Sequence, residues 1–144
     1  MNEEYRDLIA YLKILYQNFT VLHHNVVGSE FYAVHPLLGE FYDKIGEIAD
    51  HLTERGMVEG MKEPGIKDAV LKYGAELIDV GPFECHAAMK AADNGFVSLI
   101  EKMAAIRPNV APDIQSTFDQ YIDQIETERY KIQQFLGEEE DEDE

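Results

Sequence analysis

Residues 23–55 read HHNVVGSEFYAVHPLLGEFYDKIGEIADHLTER. From Val34 onward the apolar positions fall at Leu38, Phe41, Ile45, Ile48 and Leu52, alternating four and three, which is one buried face of an α-helix. Gly28-Ser29 separates this helix from an earlier one, and Ser29 is placed to N-cap it. The helix is predicted over about 30–55 with Gly56 as its C-cap, and Pro36 predicts either a start nearby or a kink. The same stretch carries the chain's most suggestive chemistry. His23 and His35 stand twelve apart across the break, Asp50 follows fifteen later, and Glu54 lies one turn beyond Asp50 on the same face. Imidazoles with carboxylates suit a borderline metal such as iron or zinc. The bland alternatives are a solvated acidic stripe over Asp43, Glu47, Asp50 and Glu54, and two histidines at the core boundary.

Working outward, residues 3–27 form a second amphipathic pattern at Leu8, Leu12, Leu15, Phe19, Leu22 and Val26, with acids in the first turns where the helix dipole favours them. Residues 56–82 are punctuated by Gly56, Gly60, Pro64, Gly65, Gly74, Gly81 and Pro82, with room for one short helix over Ile66–Tyr73. A third long helix is expected from about Pro82 to Ile106, weakened by Asn94-Gly95, and a fourth over 111–136 on Ile114, Phe118, Tyr121, Ile125 and Ile132. No strand pattern stands out. Four long helices with a long crossover between the second and third describe an all-α, ferritin-like four-helix bundle. One domain, 1–137, is expected, followed by a disordered acidic tail over 138–144.

The balance of 29 acids to 12 bases gives a net charge of −17, and removing the tail's seven acids still leaves ten excess negatives. Such a chain repels DNA and anionic membranes and attracts cations. Cys85 is the only cysteine, so an internal disulfide and a multi-cysteine zinc site are both excluded. No apolar run reaches the roughly 18 residues of a membrane span, and the N-terminus lacks a signal pattern. A cytoplasmic protein is the expectation. Glu-x-x-His, the pair that builds di-iron sites inside single bundles, occurs nowhere in the chain.

The segment from Leu22 to Gly56 resembles the signature of the Dps family, the miniferritins. The match falls on His23, Gly28, Phe31, His35, Asp50, Glu54 and Arg55, and ERYKIQQFLG at 128–137 is similar to the family's last helix end. The resemblance implies a ferroxidase centre at a two-fold interface, with His23 and His35 from one subunit and Asp50 and Glu54 from its partner. It implies a dinuclear iron site with zinc as a possible substitute, and a hollow homo-oligomer expected to be a dodecamer. It also implies Fe(II) oxidation by hydrogen peroxide or O2, with ferric iron stored and oxidative damage averted.

Departures from the family pattern qualify this. His24 stands where an aromatic, often tryptophan, is usual, and the chain has no tryptophan. Pro36 and Gly39 occupy positions where cavity-lining acids are common, leaving Glu40, with Asp43 and Glu47 further on. Asp113, Asp119 and Asp123 fit either an iron-conducting pore or an exposed acidic face. Cys85 and His86 read as a buried thiol and a boundary histidine. Tyr130 falls near the family's last-helix aromatic. Acidic residues at both ends argue against direct DNA binding. The rival readings are a non-enzymatic cage that protects or compacts DNA, a zinc-binding bundle without redox turnover, and a plain helical adaptor.

Overall fold

Helices form wherever the four-three stripes place them. In the computed structural model, which describes residues 2–142 and side chains as far as Gly137, α1 spans Glu3–Asn25 and α2 spans Phe31–Val58. The short α3 takes Ile66–Tyr73, α4 Cys85–Ile106, and α5 Pro112–Glu142 with a non-helical break at Gly137. The expected disordered tail, 138–144, lies outside the residues whose side chains are described. At the start of α1 the Asn2 side chain accepts the Tyr5 N–H at 2.7 Å, with Glu3 and Glu4 in the first turn.

The stripes meet in one core. Every stripe residue of α1, α2 and α5 named above is buried. Phe96 of α4 meets Phe19 and Phe41 edge-on, at 5.0 and 5.2 Å between ring centres, and so locks α4 onto α1 and α2. Burying each such side chain contributes about 1.5–3 kcal/mol. Among the described residues no charged side chain is fully buried. Gly95, a weak point for helix propensity, is where α4 packs directly on the side chains of α1. A Cβ there would stand 2.6 Å from Phe19 and 2.9 Å from Leu15.

The crossover is tied along α1 from Arg6 to Asn18. Arg6 donates to the Lys62 carbonyl, Lys13 pairs with Glu63 at 3.0 Å, and Asn18 bonds both the Glu76 carbonyl and the Ile78 N–H. Lys72 also pairs with Asp7, and Arg6 with Asp68. These pairs are solvent-screened and add little to stability. The firmer contact is Tyr73, edge-on to Tyr11 at 5.5 Å, with the Lys102 ammonium over both rings.

Several boundaries differ from the sequence reading. Helix α1 stops at Asn25, because Val26–Val27 form a short strand β1 that pairs in parallel with β2, Phe83–Glu84. That pairing needs extended backbone at 83–84, so α4 begins at Cys85 and Pro82 lies outside the helix. Glu30, not Ser29, is the N-cap of α2, and it makes no side-chain cap bond. Pro36 sits inside a continuous α2. The helix runs through Gly56 and is closed by Gly60, whose φ of +88° suits glycine. Gly60 donates to the Met57 carbonyl and Met61 to the Gly56 carbonyl, a Schellman closure.

Gly95→Val is expected to lower stability by about 1–3 kcal/mol through overpacking, measured by urea unfolding. Gly65→Ala, whose Cβ meets nothing within 4 Å, serves as the control and should cost less, only the N-cap preference at the start of α3.

Candidate metal centre

The two histidines are brought together by the turn between α1 and α2. Gly28 makes that turn with a φ of +129°, and its carbonyl accepts the Phe31 N–H as α2 begins. The rings of His23 and His35 then stack with centres 4.0 Å apart and planes 15° from parallel. Phe31 stacks on the far side of His35 at 4.7 Å, which accounts for its place in the sequence pattern.

A reciprocal pair of hydrogen bonds fixes both rings. The Nδ1 of His23 lies 2.8 Å from the His35 carbonyl oxygen, and the Nδ1 of His35 lies 2.8 Å from the His23 carbonyl oxygen. A carbonyl can only accept, so each Nδ1 carries the proton and donates it. In the neutral imidazole the lone pair is therefore on Nε2, and both rings present the same nitrogen to a metal. Burial lowers the His23 pKa, as do the neighbouring His35 and His24, against the opposing pull of its hydrogen bond to His35. The ring is thereby biased to the neutral, ligating form.

The position of His23 depends on Gly39, a position without a carboxylate whose missing side chain leaves room for the ring. A Cβ at this position would come within 2.9 Å of His23 Cε1 and 3.3 Å of its Nδ1. Gly39 thus gives the imidazole its seat on the α2 backbone. The sequence carried a signal for this: Gly39 and Gly46 are seven apart on α2, as His23 and Tyr16 are on α1. Each glycine receives one of those rings, a Cβ at Gly46 falling 2.9 Å from Tyr16.

Asp50 and Glu54 are not brought to the histidines. At 1.5 Å per residue, the rigid α2 holds Asp50 roughly 22 Å from His35 along the axis. Both carboxylates are exposed, and among the described residues neither makes a hydrogen bond or ion pair. Arg55, adjacent to Glu54, is instead occupied by Glu59 at 3.0 Å and by a close contact to Asp113. Asp50 lines a groove of about 640 Å³ between α1, α2 and α3, with Tyr16, Gly46, Ala49 and Ile66. No three His, Cys, Asp or Glu side chains converge on one point among the described residues.

The remaining candidates are likewise placed. His24 is exposed, its ring 5.4 Å from that of His23. Asp113 and Asp119 are engaged by Arg55 and by the two-pronged Arg107, which hold both carboxyls below their usual range, while Asp123 is exposed. Glu40 and Glu47 pair with Lys131 and Lys44. The Cys85 thiol is buried and donates to the Val27 carbonyl, and His86 lies 3.8 Å from Glu30. Tyr130 is exposed.

No protein-family model matches the sequence, and no curated protein matches it either. Solved structures do match. A Dps protein from Bacillus brevis superposes with a TM-score of 0.81 at 20% identity, covering 92% of each chain. Dps from Mycobacterium smegmatis gives 0.83 at 19% identity over 93% of this chain and 84% of that one. Dps from Thermosynechococcus elongatus gives 0.77 at 15% identity, over 93% and 88%. The chain has the Dps-like fold, a ferritin-like four-helix bundle. No helix among the described residues is long and apolar enough to cross a membrane.

Gly39→Ala should displace the His23 ring and weaken Co(II) binding about 10–100-fold, as loss of a ligand's supporting contact commonly does. Calorimetric titration of the folded variant checks this. Unchanged affinity would mean that the ring finds its place without the glycine.

Proposed function

We propose that the chain is a Dps-type ferroxidase, a cytoplasmic miniferritin that oxidises Fe(II) with peroxide or O2 and stores the ferric product inside a hollow homo-oligomer. The observation that carries this reading is the separation of two incomplete donor sets along one rigid helix. The imidazole pair sits near the start of α2, and the free carboxylates Asp50 and Glu54 near its end. A two-fold axis beside α2 sets the histidine end of one subunit against the acidic end of the other, twice over. Each centre then receives two neutral imidazoles and two carboxylates, a donor set suited to Fe(II) and, through its hard oxygens, to Fe(III). The exposed apolar side chains of Tyr16 and Ile66 in the groove fit a face that is covered on assembly.

Iron is substrate here rather than resident cofactor. Two Fe(II) give one electron each to peroxide, the O–O bond breaks, and two protons from solvent complete two waters. His23 and His35, locked by their Nδ1 bonds, hold iron without filling its coordination sphere, and Asp50 and Glu54 balance the added positive charge. The same donors would bind Zn(II), which cannot be oxidised further and would act as an inhibitor. The dodecamer number and the dinuclear site rest on the family resemblance. Acids dominate the surface, so protection through iron and peroxide removal is favoured over DNA coating.

The test is stopped-flow absorbance of ferric iron after mixing Fe(II) and peroxide. His35→Ala and Asp50→Ala should each abolish fast oxidation in intact assemblies. Co-assembly of the two variants should restore about a quarter of the native sites, because half of randomly formed two-fold pairs carry one intact centre. Oxidation by either variant alone at the native rate would sink the proposal, and no recovery on mixing would sink the shared site.

A further inference from the structure

The groove that holds Asp50 also holds a base, and that base is paired elsewhere. Tyr16 rests on Gly46 and Tyr5 on Gly56, so the antiparallel register of α1 and α2 brings Lys13 level with Ala49 and Asp50. Lys13 and Asp50 both line the groove, and Lys13 is the one base that does so among the described residues. Its ammonium goes instead to Glu63 of the crossover, at 3.0 Å. Glu63 is held for this contact from both sides. Before it, buried Met61 packs on Gly56, and Arg6 donates to the Lys62 carbonyl at 2.9 Å. After it, buried Pro64 restricts the Glu63 backbone to extended conformations. A solvent-screened pair of this kind adds little to stability, so its larger consequence is where it puts charge.

We infer that Glu63 is a positioning residue for the metal centre: it holds the Lys13 ammonium away from Asp50 and so keeps that carboxylate open to a cation. The inference rests on the ferroxidase reading above, in which Asp50 is a ligand. A carboxylate paired with an ammonium has an oxygen occupied and its charge compensated. An arriving Fe(II) would have to displace the lysine before it could bind, and the ammonium itself would repel the ion. The register leaves Asp50 as the carboxylate facing Lys13 across the groove once Glu63 is removed. Glu63 therefore acts through Lys13 and touches no metal, since its own carboxylate is taken up by the lysine. The crossover, which supplies none of the candidate donors, in this way governs whether one of them is available. Its route along α1 delivers Glu63 to the level at which the competing base stands.

The experiment is calorimetric titration of the whole protein with Co(II) at low salt, with ferric iron formation from Fe(II) and peroxide recorded on the same variants. Glu63→Gln frees Lys13 and should weaken Co(II) binding about tenfold, the lower end of what losing a ligand's supporting contact costs. Adding Lys13→Gln to Glu63→Gln should restore native affinity and native oxidation. A merely structural role for the ion pair predicts the opposite, because the double variant still lacks the pair. Lys13→Gln alone should bind Co(II) at least as tightly as the native protein. Native affinity in Glu63→Gln, a double variant as weak as the single one, or weakened binding in Lys13→Gln alone would overturn the positioning role and leave the ferroxidase reading standing. A native protein that neither binds Co(II) nor forms ferric iron would overturn both.

Discussion

The seam between α1 and α2 governs the rest of the structure. Three rings of α1, at Tyr5, Tyr16 and His23, lie on three glycines of α2, at Gly56, Gly46 and Gly39. With no side chain at those three points, the helices approach closely enough for rings to rest on backbone. The arrangement also fixes antiparallel register, because a shift of one residue would drive each ring into a neighbouring side chain. That register sets His23 opposite His35 with their carbonyls within reach of each other's Nδ1. The same contact that packs the bundle therefore orients the candidate ligands.

Much of this architecture was legible because burial imposes a period. Each long helix has one apolar face, and its stripe gave away both its existence and its core residues, as at Leu38, Phe41 and Ile45. The ends were less legible, since they depend on local competition that composition does not rank. Gly56 and Gly60 are both plausible terminators of α2, but Gly56 is occupied in packing on Tyr5 and Met61, so Gly60 takes the left-handed position. The pairing of β1 with β2 was invisible because it joins residues far apart in the chain, and two residues carry no period. At the candidate site, the identities of His23, His35, Asp50 and Glu54 stood out in the sequence. The seat at Gly39 and the proton lock on Nδ1 did not, because both arise between two helices.

Charge is distributed with some economy across this acidic molecule. Most acids on α2 and α5 that lie near a base are engaged: Glu40 with Lys131, Glu47 with Lys44, Glu59 and Asp113 with Arg55, and Asp119 with Arg107. Asp50 and Glu54 stand out as an adjacent pair left open among the described residues. With few bases in the chain, leaving two neighbouring carboxylates uncompensated raises the local negative potential where a cation would arrive.

Because α2 alone separates His35 from Asp50 and Glu54, that helix works as a ruler, and the chain tolerates changes of length very unevenly. Inserting or deleting one residue between 36 and 49 would shift the acids by about 1.5 Å and turn them by about 100° around the axis. The acidic end would then face a different direction from the groove it now borders. The crossover is under no such restriction at Asp79 and Val80, which lie past the Asn18 tie at Ile78, are exposed and belong to no helix or strand. Doubling a flexible loop costs only about 0.6 kcal/mol in closure entropy. Homologous chains can therefore diverge in length between α3 and β2 while the interval from the second histidine to the acids stays constant.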